Sequence, residues 1–329
     1  MTKIFSHAII VSIMLKVVTI GGGNGQSVLL RALKHYLPQI EITAVVSVSD
    51  SGGSSGILRE KFNILPMGDI LRVILALSPY SYIELREIFY SNRFFAGELN
   101  GHNLGNLVLT HLFQETGDWL KAIMAMSESL KIQGRVLPVT LDLTTLCAEL
   151  SNGQIIKGET KIDKPNFDCH LRKQKLWLEP AGQVFGPVKE AIANADYIFL
   201  GPGDLYTSIL PNLLVNGISE VLTLSKAKLI FTCSLANRSA GETCGFKASD
   251  FVSELQKYLP RLIDVVILQD DSFKPNAAHF QVKKWEPVEI DAGDWQKNHA
   301  IVSHDLYAEK EAGMDWEKLV KPVGQVLEQ

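Results

Sequence analysis

What this 329-residue chain has little of bounds its class first. It carries four cysteines, Cys147, Cys169, Cys233 and Cys244, without a paired C-x-x-C spacing. They read as reduced intracellular thiols, neither a zinc site nor a disulfide framework. Positive charge is not in excess: 32 Lys and Arg against 36 Asp and Glu leave a net charge of −4. A basic footprint marks a nucleic-acid partner, so nucleic acid is not expected. Long apolar runs are missing too. The stretch Ala8–Leu15 falls far short of the roughly 20 residues that span a bilayer. It meets Lys16 with no small-residue cleavage site. We therefore expect a cytoplasmic protein without membrane association or a secretory leader, its natural start at Met14 and residues 1–13 an upstream extension. No internal repeat or low-complexity tract occurs, and 46% hydrophobic residues suffice for one large core.

What the chain does have is glycine in a particular setting. Three times an apolar strand runs into a glycine-rich loop that opens a helix. The first loop is Gly21, Gly22, Gly23, Asn24 and Gly25. The second runs Ser49-Asp50-Ser51-Gly52-Gly53-Ser54-Ser55-Gly56, and the third Gly201-Pro202-Gly203-Asp204-Leu205-Tyr206-Thr207-Ser208. Loops of this kind line the carboxyl edge of a parallel sheet, where open α/β folds bind ligands. Helix N-termini there favour an anion, above all phosphate.

The surrounding pattern agrees with an α/β fold. Strands are predicted over 15–20, 42–48, 136–140, 197–200, 228–232 and 264–268. Helices are predicted over 26–35, 70–77, from Ser81, 104–113, 119–130, 187–194 and 248–258. Asn152-Gly153 between two strand-like runs signals a hairpin, so 141–180 reads as a β-rich insertion. Residues 14–270 form the single expected domain. The remainder, 271–329, is expected to pack a strand near Phe280–Trp285 and a short helix Trp316–Lys321 on the core, with Pro322 stopping or kinking that helix.

Candidate site residues follow from the loops. Gly21 and Gly23 fit the first two glycines of the dinucleotide fingerprint, but Gln26 stands where the third belongs. A nicotinamide dinucleotide site, another phosphate cradle, and a turn needing positive φ all remain open. Gly52, Gly53, Ser54 and Ser55 supply N–H groups and hydroxyls that suit a diphosphate, while Asp50 could ligate Mg²⁺ or accept from a ribose hydroxyl. Asp69 is either a helix N-cap or, with Asp50, half of a carboxylate pair for one hydrated Mg²⁺. Asn103 and Asn106 share one helix face and either read a base or sugar edge or cap and brace the helix. His102 lacks a partner nucleophile and argues little for catalysis. In the third loop Gly201, Pro202, Gly203, Tyr206, Thr207 and Ser208 present donors at a helix start. Asp204 there would repel phosphate unless a cation intervenes or its side chain turns away. Glu242 and Thr243, after the strand 228–232, add polar groups at the same edge.

In this order, Val18-Thr-Ile-Gly-Gly-Gly-Asn-Gly, Ser-Asp-Ser-Gly-Gly-Ser-Ser-Gly56, Gly68-Asp-Ile, Gly101-His-Asn-Leu-Gly-Asn, Val136-Leu-Pro-Val, the block 201–215 and Gly241-Glu-Thr resemble one family. It is that of the bacterial gluconeogenesis factors (YvcK type) and the related 2-phospho-lactate transferases (CofD type). The resemblance spans about residues 15–270. It implies a Rossmann-like core, a mostly parallel sheet with helices on both faces. For the gluconeogenesis-factor branch it implies binding of UDP-sugars such as UDP-N-acetylglucosamine, without a required cofactor, and control of cell-wall precursor supply and cell shape. For the transferase branch it implies Mg²⁺-dependent transfer of phospholactate from a guanosine diphosphate-linked donor, and Asp50 and Asp69 would then be the catalytic and metal-binding carboxylates.

The chain departs from the family pattern at several positions. Ser51 replaces a second Asp, Ile57 an Arg, and Ser234 an Asn, and the segment up to Gly241 carries an extra residue. Losing a carboxylate weakens the case for a metal-dependent transferase. Losing the Arg removes a bidentate phosphate partner, for which Arg59, Lys61 or Arg72 could substitute. Binding of a nucleotide sugar by a regulatory protein is the expectation, with a homodimer and a regulated protein partner as its expected associations.

Overall fold

A computed structural model describes residues 14–291 and 293–328. The expected extension 1–13 lies outside them. The chain first supplies β1 (Leu15–Gly21), β2 (Ile40–Val46) and β3 (Arg135–Pro138), then β4 (Thr145–Leu150), β5 (Ile155–Lys157) and β6 (Lys173–Glu179). β7 (Tyr197–Leu200), β8 (Lys228–Thr232), β9 (Ala236–Arg238), β10 (Val265–Gln269), β11 (Trp285–Pro287) and β12 (Ala300–His304) follow. Seven of these form one sheet in the order β12-β10-β8-β7-β1-β2-β3, and every neighbouring pair is parallel. Interior parallel strands are covered on both faces, which is why they read as unbroken apolar runs. β7 and β10 are buried at every position.

The connections set the position of the cleft. From β1 the chain winds through β2 to β3; from β7 it winds the opposite way through β8 and β10 to β12. β1 and β7 are therefore neighbours at the point where the winding reverses. Crossovers leave on opposite sides there, and a crevice opens beyond the carboxyl ends of the two strands. Both strands end in glycine loops. Helices α1 (Gly23–Leu33), α2 (Gly53–Phe62) and α3 (Gly68–Leu77) begin at that edge, followed by α4 (Tyr82–Arg86), α5 (Leu104–Thr116), α6 (Trp119–Ser129) and α7 (Glu159–Asp163). Helices cover both faces of the sheet. α1 buries Leu29, Leu30, Ala32 and Leu33, packing on α3 and on the helix Trp316–Leu327.

The insertion is a three-stranded antiparallel sheet, β5-β4-β6, turning at Asn152-Gly153 with Gly153 at φ 83°. The main sheet does not end at residue 270, because β12 joins it alongside β10.

Two predicted elements near the C-terminus differ. Residues Ala277–Lys283 form a helix capped by Asn276, and only Trp285–Pro287 is extended. In it Phe280 is buried against Trp285 and Tyr307 while Val282, which would share its face in a strand, is exposed. The last helix runs Trp316–Leu327, straight through Pro322. An interior proline costs about 3 kcal/mol. Burial of Leu319, Val323 and Val326 on α1 offsets this, at roughly 1.5–3 kcal/mol each.

The cysteines are not four isolated thiols. The sulfurs of Cys169 and Cys244 are in bonding contact, their Cα atoms 5.7 Å apart across 75 residues of sequence. The insertion folds back onto the loop after β9 and brings them together. Cys147 and Cys233 are buried and free. No helix among the described residues is long and apolar enough to cross a membrane.

Candidate functional site

A cleft of about 1680 Å³ opens at the carboxyl edge of the sheet, over β1 and β7. Gly22, Gly23, Asn24 and Gly25 line it, with Asp50, Gly52, Gly53, Ser54, Ser55, Asp69, Asn103 and Asn106. Pro202, Gly203, Thr207, Ser208, Glu242 and Thr243 complete this set. Residues from six stretches of sequence are thus brought to one concave surface. Gly21, His102, Gly201 and Tyr206 are not on its wall.

The two inner glycine loops are interlocked. The Gly201 N–H donates to the Ile20 carbonyl at 3.1 Å, and the Gly21 carbonyl accepts from Ser47 N–H at 2.9 Å and from the Asn212 amide at 3.1 Å. Gly21 and Gly201 therefore serve as the floor under the loops. A side chain at Gly25 would run into the Pro202 carbonyl, so the close approach of the two loops requires glycine there. Gln26, in place of the third fingerprint glycine, is buried. Its amide donates to Thr19 Oγ1 at 2.9 Å and to the Val45 carbonyl at 3.0 Å, pinning the start of α1 to β1 and β2.

The other candidates divide between bracing and lining. The imidazole Nδ1 of buried His102 lies 3.0 Å from Ser54 Oγ; burial, then Lys61 and Arg93, lower its pKa, so it holds Ser54 as a neutral group. Tyr206 is fully buried, and its backbone N–H donates to Glu242 Oε1 at 2.8 Å. Asn103 caps α5 by accepting the Asn106 N–H at 2.8 Å, and the Asn106 amide donates to Ser55 Oγ at 3.2 Å. Both asparagines still line the cleft. Asn103 Nδ2, Asn106 Oδ1 and Glu242 Oε2 are buried without a protein partner. Unpartnered buried polar atoms are uncommon in native folds. Arg72 Nε is a fourth on the cleft wall, while eight others among the described residues, Gln26 Oε1 and Tyr206 Oη included, lie off it.

Asp69 is not an N-cap. α3 starts one residue earlier, at Gly68, and the Asp69 carboxylate instead accepts from Arg72 Nη1 at 3.3 Å. Burial raises its pKa to about 6, with Asp50 and Asp204 adding to the shift and Arg72 opposing it. Burial likewise raises Glu159 to about 7 and Glu242 to about 8, with Asp50 the main charge acting on the first and Asp204 on the second. The cleft thus concentrates carboxylates that resist ionisation together, a setting that a cation relieves.

Asp204 has the cation its setting demands. Arg238 Nη2 bonds its Oδ2 at 3.0 Å, and Arg238 Nη1 pairs with Asp163. Arg238 gave no signal in the sequence, because it ends the three-residue strand β9, too short to show a pattern, and only its pairing with the distant β11 fixes its place. Glu159 and Asp163 were missed for a similar reason: α7 belongs to the insertion and is carried to the cleft rim by the antiparallel sheet. Tyr82 and Trp316 were also missed. They flank Arg31 at 4.8 Å each and line the outer part of the cleft.

Comparison with known proteins accords with this architecture. The family model described as 2-phospho-L-lactate transferase CofD matches residues 17–307. The chain belongs to the CofD family. A Thermotoga maritima relative is 41% identical over 285 residues, covering 86% of this chain and 88% of that protein. The Bacillus subtilis gluconeogenesis factor is 38% identical over 282 residues, covering 84% and 86%. The crystal structure of a UPF0052 family protein from Bacillus halodurans superposes with a TM-score of 0.84 at 34% identity, covering 94% of this chain and 98% of that one.

Within this CofD-family chain the departures from the motif have structural consequences. Ser51 Oγ accepts the Thr160 N–H at 3.1 Å and so ties the second loop to α7. Ser234 Oγ donates to the Gly203 carbonyl at 2.9 Å. Ile57 is exposed. Of the three cations that could replace an arginine there, Arg59 is held by the Thr144 carbonyl at 2.6 Å and Lys61 lies off the cleft, whereas Arg72 lines it with its guanidinium 4.3 Å from the Tyr90 ring centre.

Proposed function

We propose that this CofD-family protein binds a nucleotide sugar of the UDP-N-acetylglucosamine type and acts as a regulatory protein of the gluconeogenesis-factor kind. One observation carries the reading: two glycine loops meet at the winding reversal of a parallel sheet, over a cleft large enough for a nucleoside diphosphate with an attached sugar. The diphosphate lies over Gly22–Gly25 and Gly203, near the N-terminus of α1, with Arg72 as its cationic partner. Asp50, Asn103 and Asn106 accept and donate to ribose, base or sugar hydroxyls. The family resemblance supplies the wider role, a link between carbon metabolism, cell-wall precursor supply and cell shape. Calorimetry with UDP-N-acetylglucosamine tests the reading, and folded protein that takes up no ligand at millimolar concentration would falsify it.

The acidic lining favours one second reading, a Mg²⁺-dependent transferase acting on a nucleoside diphosphate-linked acid. The donor set fits a hard divalent cation, since Asp50 and Asp69 line one cleft and Asp69 ionises reluctantly without one. Those two residues would hold Mg²⁺, which would neutralise charge on the phosphates. Mg²⁺-dependent release of a nucleoside monophosphate from a donor and acceptor, lost in Asp50→Asn, would favour this reading over pure binding.

A further inference from the structure

We propose that Cys169, His170 and Cys244, which lie off the cleft wall, form a binding site for a soft divalent cation, zinc above all, where the insertion meets the loop Gly241–Cys244. One ligand atom from each of the three residues lies within 4.8 Å of the others. Both ring nitrogens of His170 are 3.8–3.9 Å from Cys244 Sγ. Two thiolates and an imidazole make a donor set that zinc prefers and that magnesium and calcium do not. A plain cross-link needs only the two sulfurs; the imidazole beside them is the third donor that a metal uses.

Burial grades across the cluster as an entry path requires. Cys244 is buried, Cys169 half-buried and His170 exposed, so the solvent side is left for a water as fourth ligand. The cation takes the reduced pair: an external thiol reductant first supplies two electrons and two protons to part the sulfurs that are in bonding contact here. Each thiol then releases its proton to solvent as its sulfur takes the cation, and the neutral imidazole gives a lone pair.

The position gives the site a structural consequence. Cys169 belongs to the insertion, and Cys244 stands two residues after Glu242. Lys173, at the start of β6, donates its ammonium to the Glu242 carbonyl, so the same two segments already touch. A cation there would clamp the insertion to the loop that presents Glu242 and Thr243 to the cleft. Removing it would loosen that loop and, through the Tyr206 N–H bond to Glu242 Oε1, reach the third glycine loop while leaving the first two in place.

The test uses the full chain purified in reductant. Metal content should be one zinc per chain. After chelation, one equivalent of Co²⁺ should restore a near-ultraviolet thiolate-to-cobalt charge-transfer band. Cys244→Ser should abolish the band and Cys147→Ser should leave it intact. His170→Ala, at an exposed position that does not threaten folding, should weaken Co²⁺ binding and change the visible spectrum. Folding of each variant is checked by circular dichroism. The proposal fails if the folded, reduced protein gives no band, if the band survives Cys244→Ser, or if mass spectrometry in reductant finds the chain two hydrogens light with Cys169 and Cys244 still joined.

Discussion

Replacing Asp69 by Asn is expected to stabilise the ligand-free protein at alkaline pH and to change it little in acid. Burial is the main force that lifts the Asp69 carboxyl from 3.8 to about 6, and Asp50 and Asp204 add to it against the pull of Arg72. The folded state therefore holds this proton more tightly than the unfolded chain does. Stability falls as pH rises from about 4 through about 6, and the penalty is complete above that window. At 1.36 kcal/mol per pKa unit the shift amounts to roughly 3 kcal/mol at pH 8, and to under about 1 kcal/mol at pH 4. Asn keeps an oxygen for Arg72 and removes the charge. With an unfolding entropy near 2.1 cal/mol/K per residue, the gain at pH 8 corresponds to a rise in Tm of about 4 °C. Scanning calorimetry of wild type and Asp69→Asn in chelator at pH 4 and pH 8 measures it. A variant no more stable than wild type at pH 8, or equally stabilised at both pH values, would refute the reasoning.

Gly25→Ala drives a methyl group into the Pro202 carbonyl and should cost about 1–3 kcal/mol by overpacking, read from urea unfolding. Arg238→Ala leaves Asp163 and Asp204 without their shared cation. Because Arg238 and Asp204 are partly exposed, the expected cost is about 1–2 kcal/mol at pH 8, less than for a fully buried pair. That cost should shrink at pH 5, since burial already pushes the Asp204 carboxyl toward its neutral form; unfolding curves at the two pH values check the difference. Arg72→Ala should weaken UDP-N-acetylglucosamine binding roughly 10- to 100-fold, the worth of a charge-assisted hydrogen bond, while Arg72→Lys recovers part of it, both measured by calorimetry.

The parts of the fold that were legible are those whose signal is local. β7 and β8 fall on their predicted residues because interior parallel strands write themselves as continuous apolar runs. The Asn152-Gly153 turn identified its hairpin through the backbone conformation it demands. Phe280 and Pro322 misled because a neighbour in space, not in sequence, decides each: Trp285 and Tyr307 for the first, α1 for the second. At the cleft the glycine loops were legible because strand, loop and helix follow one another directly. Arg238, Glu159, Asp163 and Trp316 were not, because each arrives on an element whose own pattern says nothing of where it docks. His102 and Tyr206 show the opposite case. Their motifs are adjacent to the cleft, yet the side chains turn inward to brace it.

The central claim is that the interlocked glycine loops at the winding reversal hold the diphosphate of a nucleotide sugar. The most direct measurement is a calorimetric titration of UDP-N-acetylglucosamine into wild type and into Gly22→Val, whose added side chain would meet Asp69 Oδ2 at 2.6 Å within the cleft. The account predicts saturable binding at one site per chain in wild type and its loss in the folded variant. Wild type that releases no heat at millimolar ligand, or a Gly22→Val protein that binds as wild type does, would contradict it.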